Sequence, residues 1–181
     1  SAEAVRKRLL RDPWIEDARV AWGLGTISIE LTERQPVALL RYTDRFYLLL
    51  DESGTILEQT ELDAYKGLPV ITGRDFMQPL RGFRSDNEGL LDAVSLSARM
   101  APALRSQISE IHADPDRTLT LYMVPGATVR WGLLPDGENR AELVADKVNW
   151  FGGIWQELNK RSGTCHIDLR VDGKEAVSGC Q

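Results

Sequence analysis

Cys165-His-Ile-Asp-Leu-Arg-Val-Asp-Gly-Lys-Glu-Ala-Val-Ser-Gly-Cys180 is the most informative run in the chain. Cys165, Ile167, Leu169 and Val171 alternate with polar residues, so they share one face of a strand. Asp172-Gly173 is the favoured pair for a two-residue hairpin loop, and residues 174–180 return from it. With that loop Arg170 faces Glu175, an opposite-charge cross-strand pair. Cys165 likewise faces Cys180. The pattern predicts an antiparallel hairpin whose two cysteines can join in a disulfide, at a hydrogen-bonded position where the spacing is wide. Such a bond implies an oxidising compartment.

Upstream of the hairpin, residues 141–160 read as a helix with the apolar stripe Val144, Val148, Phe151, Trp155 and Leu158. Asn139 and Glu142 have capping-box spacing. Gly152-Gly153 weakens this helix by about 1 kcal/mol per glycine relative to alanine. Strands are expected near 119–123 and 128–131, joined by Pro125-Gly126. Leu91, Val94, Ala98, Ala101, Leu104 and Ile108 keep helical spacing over 91–108, with Pro102 set to kink or split the helix. Residues 74–88 read as loop and 68–73 as extended. Strands at 37–41, 46–50 and 55–58 are punctuated by the turn Asp51-Glu52-Ser53-Gly54.

At the other end, residues 1–10 read as a short helix capped by Ser1 and stopped by Asp12-Pro13. Two strands come next. Ala18, Val20 and Trp22 alternate in the first, and Ile27, Ile29 and Leu31 in the second. Gly23-Leu24-Gly25 turns between them, its glycines supplying positive φ. Gln35-Pro36-Val37 marks a boundary. The expected fold class is α+β: a small α-β-β block over 1–38, then a β domain of mostly antiparallel strands with two packed helices over 39–181. One helix and two strands bury too little apolar surface to stand alone. The block is therefore expected either to dock on the β domain or to belong with elements preceding Ser1.

The 181 residues are 43% hydrophobic and 27% charged, the balance of a globular chain rather than a disordered one. Twenty-two Lys and Arg against 27 Asp and Glu leave a net charge of −5. That argues against the dense basic surface of a general nucleic-acid binder. No apolar run approaches the roughly 20 residues that span a bilayer. The catalytic inventory is thin. His112 and His166 read as solvated or hydrogen-bonded strand side chains. No HExxH, GxSxG, Walker or GxGxxG pattern is present. The Asp114/Asp116 and Asp136/Glu138 pairs have the spacing of hard-cation ligands but sit among turn residues, where ordinary polar roles suffice. Of the five tryptophans, Trp22, Trp131 and Trp155 fall at positions expected to be buried. No cofactor and no metal is implied.

Ordered pieces of the chain resemble one family. They are Asp12-Pro-Trp-Ile-Glu-Asp-Ala-Arg-Val20, Ile27-Ser-Ile-Glu-Leu-Thr-Glu-Arg-Gln-Pro-Val-Ala38, Leu50-Asp-Glu-Ser-Gly-Thr-Ile56, Leu68-Pro-Val-Ile-Thr-Gly73 and the ending Ile167-Asp-Leu-Arg170. The set is collinear with, and similar to, the FtsQ/DivIB family of bacterial cell-division proteins. The resemblance implies a partial POTRA domain followed by the family's β domain. It implies a non-enzymatic scaffold that binds FtsB and FtsL and connects them to the septal peptidoglycan synthase FtsW–FtsI. It also implies a single membrane helix, absent from these 181 residues, with this part outside the cytoplasmic membrane at the division septum.

In the family, FtsB adds along the last strand of the β domain. The positions that correspond here are Arg170, Val171, Lys174, Glu175, Ala176, Val177 and Ser178. Val171 replaces the family's aromatic, and Gly23-Leu24 replaces its usual Trp-Pro turn. Two other readings stay open at this point: a POTRA-type module for polypeptide transport or assembly, and a cell-wall-binding domain.

Overall fold

The computed structural model describes residues 1–74, 76, 80–124, 126–160 and 166–170, and the backbone of 176–178. Helix α1 (Ala2–Leu9) begins where the Ser1 hydroxyl accepts from the Ala4 N–H at 3.3 Å. Strands β1 (Ile15–Gly23) and β2 (Thr26–Glu33) form an antiparallel pair that places Ala18 opposite Leu31, Val20 opposite Ile29 and Trp22 opposite Ile27. Leu24 and Gly25 carry the positive φ of the turn, rather than the two glycines.

Only Ala18 of these six is buried. Trp22 is 59% exposed, and Ile27, Ile29 and Leu31 are 47% exposed each. The expected burial of Trp22 is thereby corrected. Alternation identifies which face is apolar, whereas burial depends on a covering layer. Among the described residues, nothing covers the Trp22 end of this face.

The larger sheet comprises β3 (Pro36–Arg41), β4 (Tyr47–Asp51), β5 (Ile56–Thr60), β6 (Val70–Gly73), β7 (Ile108–Ala113), β8 (Leu119–Met123), β9 (Thr128–Gly132), β10 (His166–Asp168) and β11 (Ala176–Ser178). Their order across it is β11-β10-β9-β8-β7-β6-β3-β4-β5. The β9–β10, β6–β7 and β3–β6 pairs are parallel, and the rest are antiparallel. Helices α2 (Glu88–Arg99), α3 (Pro102–Arg105) and α4 (Arg140–Leu158) complete the α+β fold.

Three expectations need correction. Pro102 splits the helical pattern over 91–108 into α2 and α3 as expected, standing at the first position of α3, where its missing N–H costs nothing; the correction concerns the end of the pattern. Ile108 belongs to neither helix; it opens β7. Its four-residue distance from Leu104 imitates helical spacing, and a bulge lies between Ile108 and Glu110 in the strand it opens. Second, Asn139 makes no side-chain capping bond to α4.

The third correction concerns the final hairpin. It is antiparallel as expected, but its register is one residue off. Ile167 pairs with Val177 and His166 with Ser178, whereas a Cys165–Cys180 pairing sets Ile167 against Ser178. A one-residue slip sends side chains to opposite faces. Cys165 and Cys180 themselves lie outside the described residues.

The main core lies between the sheet and the long helices. Ile71, Ile111, Leu121, Val129 and Ile167 from the strands meet Leu90, Val94, Val144, Val148 and Phe151 from α2 and α4. The α4 stripe read from the sequence is buried at all five positions. The opposite face is covered at the β3–β5 end, where Trp14, Tyr65 and Leu68 pack on Leu39, Leu49 and Leu57. Trp14 Nε1 donates to Glu58 Oε2 at 3.3 Å, and the Tyr65 hydroxyl donates to Glu58 Oε1 at 2.7 Å. Burial first, and then the Glu58 carboxylate, push the Tyr65 hydroxyl up to about 12. Arg34 Nη1 reaches the buried Asp51 at 2.7 Å. The N-terminal hairpin is thus tied to the large sheet by an ion pair and an apolar anchor.

Candidate partner-binding edge

Strand β11 is the terminal strand at one end of the nine-stranded sheet, with β10 as its neighbour. Successive residues of a strand at such a position direct backbone groups alternately toward the neighbour and away from it. The outward groups are a template for an added strand. Ala176, Val177 and Ser178 form β11. Of the other residues singled out from the sequence, Arg170 is described, whereas Val171, Lys174 and Glu175 lie outside the described residues.

Arg170 follows the end of β10, the strand next to this edge. Ile167 and Leu169 are buried in the core, so the intervening residues point the other way. Asp168 and Arg170 therefore share a face. Arg170 Nε donates to Asp168 Oδ1 at 2.8 Å and Arg170 Nη2 to Oδ2 at 2.6 Å. The hairpin reading pairs Arg170 with Glu175; the observed partner is two residues away in the same Asp-Leu-Arg segment. The i,i+2 spacing carries that signal. Beneath the Arg170 stem lies Gly132, where an added Cβ would come within 3.1 Å of Arg170 Cγ. A glycine there lets the arginine lie flat on the end of β9.

The arginine's hydrogen bonds, against a smaller opposing effect of burial, hold the Asp168 carboxyl down to about 2; Arg170 is correspondingly raised. A depressed carboxyl contributes stability that is complete above its unfolded value near 4 and lost as pH falls through the folded one. The pair is partly exposed, so water screens much of its attraction and its contribution is that of a surface ion pair. Asp168→Asn is expected to lower the melting temperature by about 2 °C at pH 6. The difference should shrink steadily between about pH 4 and pH 2 in thermal unfolding followed by circular dichroism.

The far edge of the sheet differs. Ile56 N donates to the Phe83 carbonyl at 2.9 Å, Gly82 N to the Ile56 carbonyl at 2.8 Å, and Arg81 Nε to the Leu57 carbonyl at 3.0 Å. A segment of the chain itself therefore occupies the outer side of the start of β5, at Ile56 and Leu57. Among the described residues no comparable segment lies on β11.

Other polar clusters have structural partners. His112 Nδ1 lies 2.7 Å from the Thr72 hydroxyl, and its Nε2 lies 3.4 Å from Asp114. Asp116 accepts from the Thr118 N–H at 2.9 Å, while Asp136 faces Arg117 and Arg140. Among the described residues, no group of three or more His, Cys, Asp or Glu is arranged to hold a metal ion. Trp131 and Trp155 are buried, as their sequence positions imply. Among the described residues no helix is long and apolar enough to cross a membrane.

Comparison with known proteins covers most of the chain. Residues 38–170 match the family model for the C-terminal part of cell division protein FtsQ/DivIB. The chain is 36% identical over 139 residues to cell division protein FtsQ of Novosphingobium aromaticivorans, covering 76% of this chain and 39% of that protein. It is 31% identical over 172 residues to FtsQ of Zymomonas mobilis, covering 94% and 48%. The chain thus spans less than half the length of either of these two relatives. Among solved structures, the major extracytoplasmic domain of the trans isomer of DivIB from Geobacillus stearothermophilus aligns with a TM-score of 0.46 at 23% identity, over 72% of this chain and 98% of that one.

Proposed function

The chain belongs to the FtsQ/DivIB family of bacterial cell-division proteins, and from that premise we propose that it is a polypeptide-docking module of the division machinery. The partner adds as a strand along β11, beside Arg170. One observation carries this reading: β11 ends the sheet with no covering segment among the described residues, while the start of the opposite edge strand, β5, is occupied by the chain itself.

The partners we assign are FtsB- and FtsL-type proteins, with FtsW–FtsI reached indirectly through them. Arg170, Val171, Lys174, Glu175, Ala176, Val177 and Ser178 make up the docking segment. The module acts as a scaffold, without catalysis. In the full-length protein it stands on the extracytoplasmic side of the membrane at the septum, held by one membrane helix. Residues 1–38 form part of a POTRA unit and 39–181 the β domain.

Proline substitution tests the edge. In an antiparallel ladder a residue sends both its N–H and its C=O to the same side, and successive residues alternate. Either Val177, or both Ala176 and Ser178, therefore face away from β10. Proline at an outward position should weaken binding of an FtsB-type peptide at least roughly tenfold at unchanged melting temperature. Proline at an inward position should lower stability instead. Calorimetric titration that finds unchanged affinity for every folded variant contradicts strand addition at β11.

A further inference from the structure

We propose that residues 80–85 are an edge guard, which occupies the start of β5 so that a second copy of this chain cannot add its own β11 there. The proposal rests on the open β11 edge argued above. A sheet with two free edges is a head-to-tail assembler. Pairing β11 of one molecule with β5 of the next is a heterologous contact, and one that does not close grows into a filament. A protein that keeps one edge open for a partner must block the other.

The bonds of this segment are those of a short added strand. Ser85 N donates to the Gly54 carbonyl at 3.0 Å, Ile56 N to the Phe83 carbonyl at 2.9 Å, and Gly82 N to the Ile56 carbonyl at 2.8 Å. Thr55 and Arg84 form an antiparallel bridge. Two arginines extend the cover with side-chain donors: Arg81 Nε to the Leu57 carbonyl and Arg84 Nε to the Ser53 carbonyl, each at 3.0 Å. The backbone groups that an incoming strand needs on Gly54, Ile56 and Leu57 are therefore taken.

The segment contributes little to the core. Leu80 and Phe83 are both exposed. What holds it in place is polar and local: Arg81 Nη2 pairs with Asp12 at 3.2 Å, and Gly82 closes on Pro13, 3.3 Å from where a Cβ would stand. Its ordered path is maintained by bonds that satisfy an edge, and the Asp12-Pro13 turn ahead of β1 clamps it from outside.

The test uses the whole 181-residue chain. Gly82→Pro removes the donor to Ile56 and cannot hold the φ of 82°, so the guard lifts while the core is untouched. Sedimentation equilibrium should show self-association at least roughly tenfold tighter than in the parent chain. Adding the β11 proline that leaves stability unchanged should reverse it. A folded Gly82→Pro variant that associates no more than the parent overturns the proposal, and so does association that the β11 proline leaves intact. Should that variant not fold, amide exchange on the parent chain decides. The Ile56 N–H is expected to exchange as slowly as ladder amides of β4, and exchange at the rate of an unstructured peptide overturns the guard. Peptide binding to the parent reads β11 alone, so failure of the docking reading and failure of the guard are told apart.

Discussion

Replacing Trp131 by alanine is expected to destabilise the protein by about 3–5 kcal/mol, a large share of the roughly 5–15 kcal/mol that holds a domain folded. Trp131 is fully buried. Its ring meets Phe151 edge to face at 5.7 Å, and Phe151 in turn lies against Trp155 at 6.2 Å. Lys147 Nζ stands 5.0 Å above the indole and donates to the Trp131 carbonyl at 2.8 Å. This stack joins β9 to α4. Alanine leaves a cavity that the surrounding strand and helix cannot fill without moving.

The indole also carries a cost of its own. Its Nε1 is buried and has no hydrogen-bond partner among the described residues, a penalty of about 1–3 kcal/mol. Trp131→Phe keeps the ring contact and removes the orphaned donor, so the smaller cavity is partly offset. Its expected cost is about 1 kcal/mol. Chemical denaturation of the two variants checks this: near-equal losses would contradict the packing account of Trp131.

The second large effect is expected at Asp92. This carboxylate on α2 is buried, yet it accepts from Arg117 Nε at 2.8 Å and from Arg117 Nη2 at 3.2 Å. It also accepts from Arg140 Nη2 at 2.5 Å. Three distant elements meet there: α2, the β7–β8 turn and the start of α4. Arg117 takes a positive φ of 71° to reach it, a strained conformation for a non-glycine residue. Its hydrogen bonds to Asp92 raise the guanidinium above its ordinary value.

Removing one partner of a buried pair leaves charge uncompensated and costs about 3–5 kcal/mol. Both arginines keep some access to water, and Arg117 retains Glu88 at 3.1 Å. The lower end, about 3 kcal/mol, is therefore expected for Asp92→Ala, or a fall of about 6–12 °C in melting temperature. Asp92→Asn preserves the shape and should cost less. A loss below about 1 kcal/mol for the alanine variant in thermal unfolding would show that the network is not holding these elements together.

The Asp92 network illustrates what the sequence hides. Arg117 and Arg140 lie far from Asp92 along the chain, and nothing in local spacing joins them. By contrast, the Val144, Val148, Phe151, Trp155 and Leu158 stripe follows from the helical period alone, and all five are buried as read. Strand β2 is legible for a similar reason, since Ile27, Ile29 and Leu31 alternate. Their exposure is not legible, because a pattern names the apolar face without naming its cover. The start of strand β7 is concealed because Ile108 stands four residues after Leu104 and so continues the helical spacing.

The final hairpin, where we propose that a partner docks, is legible in its pairing but not in its detail. Alternation and the Asp172-Gly173 pair announce a terminal hairpin, and β10 and β11 pair antiparallel. The register differs by one from that of a two-residue loop, because backbone pairing across the sheet fixes it as much as turn preference does. Arg170 is singled out by resemblance, while its bond to Asp168 follows from elementary strand geometry. The cover over β5 has no sequence signal, since it consists of backbone bonds made by a loop.

Strand addition at β11 can be read atom by atom through backbone methylation of the partner. An FtsB-type peptide is methylated at one amide nitrogen at a time and titrated against the intact chain by calorimetry. A strand paired along β11 uses every second N–H. An alternating profile is expected along the paired segment: methylation at bonded positions weakens binding at least roughly tenfold, and at the intervening ones hardly at all. A flat profile, with all positions tolerated or all equally damaging, would contradict strand addition.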